Sequence, residues 1–133
     1  MNNLKLNERQ VGKVTILDVD GNLRLGEGSA AIQKVIRRLS EEGQKQILLN
    51  LAHVAYIDSS GLGELIAGHV ALSKSGGQIK LLHLTQRVRE LMTITKLLTV
   101  FDVYENESEA LASFKIPVSD LEPQPVLAQA VSS

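Results

Sequence analysis

The sequence predicts an α/β domain in which a small mixed β-sheet is packed by about four helices. The hydrophobic period switches repeatedly along the chain between two residues, as in strands, and 3.6 residues, as in helices. Aromatic residues make up only 3 % of the 133 residues and tryptophan is absent. We therefore expect a core built from Leu, Ile, Val and Ala, a composition that suits helices packed on parallel strands. We expect the β-α-β crossovers to be right-handed.

Two strands joined in a hairpin open the predicted fold. Apolar and polar residues alternate from residue 4, a glycine lies in the following turn, and residues 14–19 form an apolar run. We expect these two strands to be antiparallel. After a turn at residues 20–22, Ser29 is placed to cap a first helix, which ends at Gly43.

The third predicted strand is a nearly continuous apolar run at residues 47–51, a pattern typical of a strand covered on both faces. We therefore expect this strand to be central in the sheet. A second helix follows and ends at the Gly76-Gly77 pair, before a strand at residues 79–84. The residues predicted to line its apolar side are Leu62, Leu65, Ile66 and Val70.

Capping residues mark the last two helices. Thr85 is placed to cap a third helix, and residues 100–104 form a short apolar segment that we interpret as an edge strand. Asn106, with Glu109 three residues later, resembles the capping box of a final helix that Pro117 closes.

The C-terminal part of the chain differs from the rest. Residues 116–133 have no sustained hydrophobic period and show neither a helix nor a strand pattern. We therefore predict a flexible C-terminal tail and assign residues 1–115 to the domain.

The sequence shows no sign of export or of membrane insertion. The first residues lack the apolar segment of a secretion signal, and no stretch approaches the roughly 18 apolar residues of a membrane span. With no cysteine in the sequence, we expect a soluble chain located in the cytoplasm.

Composition and motifs argue against several functions. The formal net charge of -1 does not indicate a nucleic-acid binder. The sequence lacks the nucleotide-binding and hydrolase motifs G-x-G-x-x-G, Gly-Lys-Ser/Thr and G-x-S-x-G. His53, His69 and His83 lie far apart along the chain among apolar neighbours, so we assign no metal. We expect neither a catalytic residue nor a cofactor.

The most informative segment is residues 56–63, where two adjacent serines lie between a strand end and a helix start. Unpaired N–H groups and the positive end of the helix dipole face such a position, which therefore tolerates a phosphate. A purely structural alternative is that Ser60 or Asp58 is the helix N-cap.

Several segments together resemble a STAS domain of the bacterial anti-sigma-factor antagonist family, over about residues 4–115. The first is Asp58-Ser59-Ser60-Gly61-Leu62-Gly63, with an apolar strand before it and an amphipathic helix after it. The others are Gly76-Gly77-Gln78-Ile79-Lys80-Leu81, Val88-Arg89-Glu90-Leu91 and Lys96-Leu97-Leu98.

This resemblance implies regulation by partner switching. In such systems the unphosphorylated antagonist binds an anti-sigma factor that is also a serine kinase, and so releases the sigma factor. Phosphorylation of the antagonist breaks that complex, and a PP2C-type phosphatase restores it. The resemblance places the phosphoacceptor at Ser59. It places partner binding at Asp58, Ser59, Ser60, Gly61, Leu62 and Gly63.

One departure from the family concerns the partner. Gly21-Asn22-Leu23-Arg24 stands where members commonly carry an acidic Gly-Glu-Leu-Asp-like string, which puts recognition by the usual kinase in doubt.

Two other functions remain open: a non-phosphorylated accessory subunit of a sensory or lipid-transport assembly, and a small-ligand or nucleotide sensor. Between the serines, we expect Ser60 to accept from a first-turn N–H and Ser59 to stay exposed.

Overall fold

A computed structural model describes residues 4–23 and 27–114 of the chain. The strands are β1 (Lys5–Val11), β2 (Val14–Asp20), β3 (Gln46–His53), β4 (Gln78–Leu82) and β5 (Val103–Tyr104). The helices are α1 (Glu27–Glu41), α2 (Ser59–Lys74), α3 (Gln86–Ile94) and α4 (Glu107–Ser113), and a 3-10 turn spans Leu97–Thr99. The predicted tail at residues 116–133, its Pro117 and the divergent Arg24 lie outside the described residues.

The five strands form one mixed sheet in the order β1-β2-β3-β4-β5. β1 and β2 pair antiparallel, as the hairpin pattern predicted, and every later pairing is parallel. The apolar run in β3 is the central strand, which confirms its prediction. Gly12 turns the hairpin with a φ of 60°, a left-handed conformation that favours glycine.

Alternate residues of the strands point to opposite faces of the sheet, and both faces are covered. Leu17 and Leu49 are paired across β2 and β3 and lie in the larger core, which also contains apolar side chains of α1, α2 and α3. Ile16 and Leu48, the neighbouring pair, lie in a smaller core on the other face. There they are packed with Ala110 of α4. The covering of both faces explains the continuous apolar run of β3.

A polar network ties α4 to the edge of the sheet. The Arg9 guanidinium on β1 donates to Asp18 on β2 from Nε at 2.7 Å and to Glu107 at the start of α4 at 3.0 Å. Asn50 on β3 also donates to Asp18, at 2.8 Å. The hydrogen bonds that Asp18 accepts hold its pKa below the ordinary value, and the bond from Arg9 has the largest effect.

Two predictions for the helices are wrong. α1 begins at Glu27, so the backbone is already helical two residues before Ser29, which is therefore not the N-cap. Val70 is 46 % exposed. It follows Leu62 by eight residues, which at 3.6 residues per turn rotates it about 80° away from that residue, on the side opposite Leu65.

The last two strands are shorter than predicted. β4 ends at Leu82, because His83 adopts a left-handed φ of 59°. β5 is limited to Val103–Tyr104 at the edge of the sheet, since the chain before it forms the 3-10 turn. The caps predicted for α3 and α4 are confirmed: Thr85 accepts from the N–H of Val88, and Asn106 accepts from that of Glu109.

Candidate functional site

The paired serines lie at the N-terminus of α2, beyond the carboxyl end of the central strand. The residue before them, Asp58, is extended, and its Oδ1 accepts a hydrogen bond of 2.7 Å from the backbone N–H of Gly61. Asp58 is therefore the N-cap, and Ser59 and Ser60 are the first two residues of the helix. The expectation that Ser60 caps the helix is wrong, because the helix already begins at Ser59 and the N–H of Leu62, two residues after Ser60, donates to the Asp58 carbonyl.

The two serines differ in exposure. Ser59 is exposed and Ser60 is half-buried. Both hydroxyls stand at the positive end of a 16-residue helix, where a negative group is favoured. A group added to Ser59 would extend into solvent and need not displace the core.

The loop that follows β2 holds the serine segment in place. Leu23 forms a parallel bridge with Ile57, donating from its N–H to the carbonyl of Tyr56 and accepting from the N–H of Asp58, each at 3.0 Å. Gly61 packs against the same loop, since a β-carbon there would lie 2.4 Å from the Leu23 oxygen. The sequence analysis named Leu23 only as part of the divergent string and missed this contact, at which only the glycine at the third helical position hints.

The predicted partner-binding residues therefore divide into two groups. Gly61 and Leu62 are buried and shape the helix start, with Leu62 only 3 % exposed. Gly63 is exposed, and a β-carbon on it would meet nothing within 4 Å. The surface open to another molecule at this segment is formed by the exposed Ser59 and Gly63 and by the half-buried Asp58 and Ser60.

A shallow groove of about 390 Å³ lies between the serine segment and α3. Thr85 fixes the start of α3, because its hydroxyl donates to the Val54 carbonyl at 2.9 Å while also capping the helix. Cζ of Arg87 lies 6.0 Å from the centroid of the Tyr56 ring, within the range of a cation–π contact. The groove is lined by Tyr56, Ile57, Asp58, Ser59, Arg87, Glu90, Leu91 and Ile94.

The histidines do not gather into a site. His69 packs on Phe101 with the ring centroids 5.0 Å apart, and burial lowers its pKa. His53 is exposed and His83 is half-buried at the end of β4. Within residues 4–23 and 27–114, no three His, Asp or Glu side chains are placed to hold a metal ion.

Fold and site together define a small α/β domain that presents an exposed serine at a helix N-terminus beside a groove. The chain belongs to the STAS domain family, whose family model matches residues 5–110. In the part of the chain that the structure describes, no helix has the length and apolar character needed to cross a membrane.

Two relatives in sequence are named as antagonists. The anti-sigma F factor antagonist of Paenibacillus polymyxa is 22 % identical over 114 residues, which cover 86 % of this chain and 97 % of that protein. The anti-sigma-B factor antagonist of Staphylococcus epidermidis is 31 % identical over 74 residues, or 56 % of this chain and 68 % of that protein.

Solved structures are similar in fold. A candidate anti-sigma factor antagonist from Thermotoga maritima superposes with a TM-score of 0.75 at 28 % identity, covering 80 % of this chain and 92 % of that one. The phosphorylated form of the Bacillus cell fate determinant SpoIIAA superposes with a TM-score of 0.65 at 20 % identity, covering 81 % and 97 %. The second similarity concerns the fold alone.

Proposed function

We propose that this chain is an anti-sigma factor antagonist controlled by phosphorylation of Ser59. In its unmodified form it binds an anti-sigma factor, itself a serine kinase, through the exposed surface of residues 58–63, and so releases a sigma factor. The observation that carries this proposal is the exposure of Ser59 at the start of α2, beside a cap that Asp58 supplies. The chain acts as substrate and binding module, and the proposed setting is the cytoplasm.

The modification is a phosphoryl transfer from ATP held by the partner kinase. The Ser59 Oγ attacks the γ-phosphorus, an O–P bond forms, the bond from that phosphorus to the bridging oxygen breaks, and ADP leaves. The hydroxyl proton passes to a base of the kinase. A PP2C-type phosphatase hydrolyses the phosphoserine and returns the hydroxyl.

Phosphorylation changes the charge of the surface without requiring a change of fold. It adds roughly -1.5 to -2 charges beside the Asp58 carboxylate. The helix N-terminus accommodates this charge within the domain. A closely packed or acidic partner surface is repelled by it, so the complex with the anti-sigma factor dissociates.

The test is incubation of the chain with its kinase partner and ATP, followed by location of the phosphate by peptide mass spectrometry. We expect phosphate on Ser59 in the wild type and in the matched control Ser60→Ala, and none in Ser59→Ala. Ser59→Ala should still bind the partner, whereas Ser59→Asp should bind it more weakly. Phosphate on Ser60 in the wild type would contradict the assignment.

Absence of any modification, together with capture of a transport or sensory complex, would instead favour the accessory-subunit function. A third outcome is that a small anion or nucleotide binds in the groove beside Ser59. Equilibrium binding of such a ligand by a chain that no kinase modifies would favour a sensor.

A further inference from the structure

We propose that Arg87, near the start of α3, binds the phosphate once Ser59 is phosphorylated, so that the modification forms a Ser59–Arg87 pair across the groove. The inference rests on the proposed function, because it takes Ser59 as the modified residue. It adds to the switch a second residue, which lies on a different helix and outside the family's serine motif.

The two residues face one small space. Ser59 and Arg87 both line the groove of about 390 Å³ between the serine segment and α3. Arg87 is the second residue of α3, one turn or less from Thr85, whose hydroxyl holds that helix start to the Val54 carbonyl at 2.9 Å. The backbone from which Arg87 extends is therefore fixed relative to the chain that leads into Ser59.

Arg87 is available for a new anion. Its side chain is exposed and contacts the Tyr56 ring, with Cζ 6.0 Å from the ring centroid. An exposed cation–π contact at this distance is weak and readily exchanged for a charge-assisted hydrogen bond. Three other arginines in the described part of the chain already pair with carboxylates, namely Arg9, Arg38 and Arg89.

The carboxylates of the groove favour a cation beside the phosphate. Asp58 and Glu90 are the carboxylates that line the groove, and Asp58 is next to the modified residue. Glu90 accepts from Gln86 at 3.2 Å. Among the groove-lining residues that the structure describes, Arg87 alone is a cation. Its planar guanidinium can donate two parallel hydrogen bonds to phosphate oxygens.

Formation of the pair alters the surface as well as its charge. The guanidinium leaves the Tyr56 ring and moves toward the N-terminus of α2. The mouth of the groove then closes over phosphoserine and Arg87. A partner that binds this surface then contacts a changed groove and a phosphate whose charge is partly neutralised by Arg87.

The experiment uses the full chain with phosphoserine installed at position 59 by genetic encoding, so that no kinase is needed. Phosphorus NMR follows the second ionisation of the phosphate, which for an unperturbed phosphoserine has a pKa near 6. Pairing with Arg87 favours the dianion and lowers this pKa. We expect the value to rise by about half a pH unit in Arg87→Gln.

Arg89→Gln is the matched control, because Arg89 is on the same helix but pairs with Glu105. It should leave the phosphate pKa as in the wild-type sequence. Equal values for the wild-type and Arg87→Gln phosphoproteins would overturn the pair and leave the proposed function standing. Failure of the kinase to modify Ser59 would overturn the proposed function, yet would not affect this measurement.

Discussion

A β-carbon added to Gly61 would lie 2.4 Å from the carbonyl oxygen of Leu23. That oxygen cannot retreat freely, because it accepts the hydrogen bond from the N–H of Asp58 at 3.0 Å. The start of α2 and the loop after β2 are thus in direct backbone contact. The serine segment keeps its shape because residue 61 has no side chain.

Gly61→Ala should lower the free energy of unfolding by about 1–3 kcal/mol, the usual cost of forcing extra volume into a packed site. Gly63→Ala, two residues further along the helix, is the matched control. It should raise the free energy of unfolding by about 0.5–1 kcal/mol, because alanine is the better helix former and the position is open. Urea denaturation of the two variants measures the difference. Equal stabilities would mean that the Leu23 contact does not constrain the helix.

Asp58→Ala should lower the free energy of unfolding by about 1 kcal/mol, because the N–H of Gly61 loses its acceptor. Asp58→Asn keeps an oxygen in that place and should recover most of the loss. Ser60→Ala should change stability by less than about 0.5 kcal/mol, since Ser60 is inside the helix and not its cap. Thermal unfolding followed by circular dichroism compares the three. A larger loss for Ser60→Ala than for Asp58→Ala would refute the assignment of the cap.

Gly63→Glu should weaken binding to the anti-sigma partner by roughly tenfold or more, about 1.4 kcal/mol, while the domain stays folded. The site is exposed and has room for the side chain, so the new charge acts on the partner and not on the core. Ala112→Glu places the same charge on an exposed position of α4, on the other face of the sheet. It should leave binding unchanged. Calorimetric titration measures both, and undiminished binding by a folded Gly63→Glu variant would locate the interface elsewhere.

Asp18→Asn should lower the free energy of unfolding at pH 7 by about 1 kcal/mol, a modest value because solvent reaches the Arg9 pair. The pKa of Asp18 is lower in the folded than in the unfolded state, so its contribution is complete above the unfolded value of about 4. That contribution is lost as the pH falls further, through the folded-state pKa.

The stability difference between wild type and Asp18→Asn should accordingly narrow below about pH 4. Urea unfolding at a series of pH values measures it. Asp20→Asn, at the exposed end of the same strand, should change the stability at pH 7 by less than about 0.5 kcal/mol. A difference for Asp18→Asn that stayed constant down to pH 2 would show that the carboxylate charge contributes nothing.

Local patterns were sufficient for most of the fold. The nearly continuous apolar run in β3 predicted its central place, because a strand covered on both faces buries most of its side chains. Thr85 and Asn106 were recognised as caps from residue type and spacing alone. The errors occurred where a local pattern allows two outcomes. Val70 is an example, because its burial depends on which neighbouring elements cover that side of the helix.

The candidate site, too, was predicted only in part from the sequence. Residue type and hydrophobic period alone predict two serines at a helix start after a buried strand, since they locate both elements. They do not determine which residue caps the helix, because aspartate and serine are equally good acceptors and only the extended backbone at Asp58 decides. The contacts with Leu23 and Arg87 join segments far apart in the chain. Only tertiary structure could create them, because no local pattern records which distant segments meet.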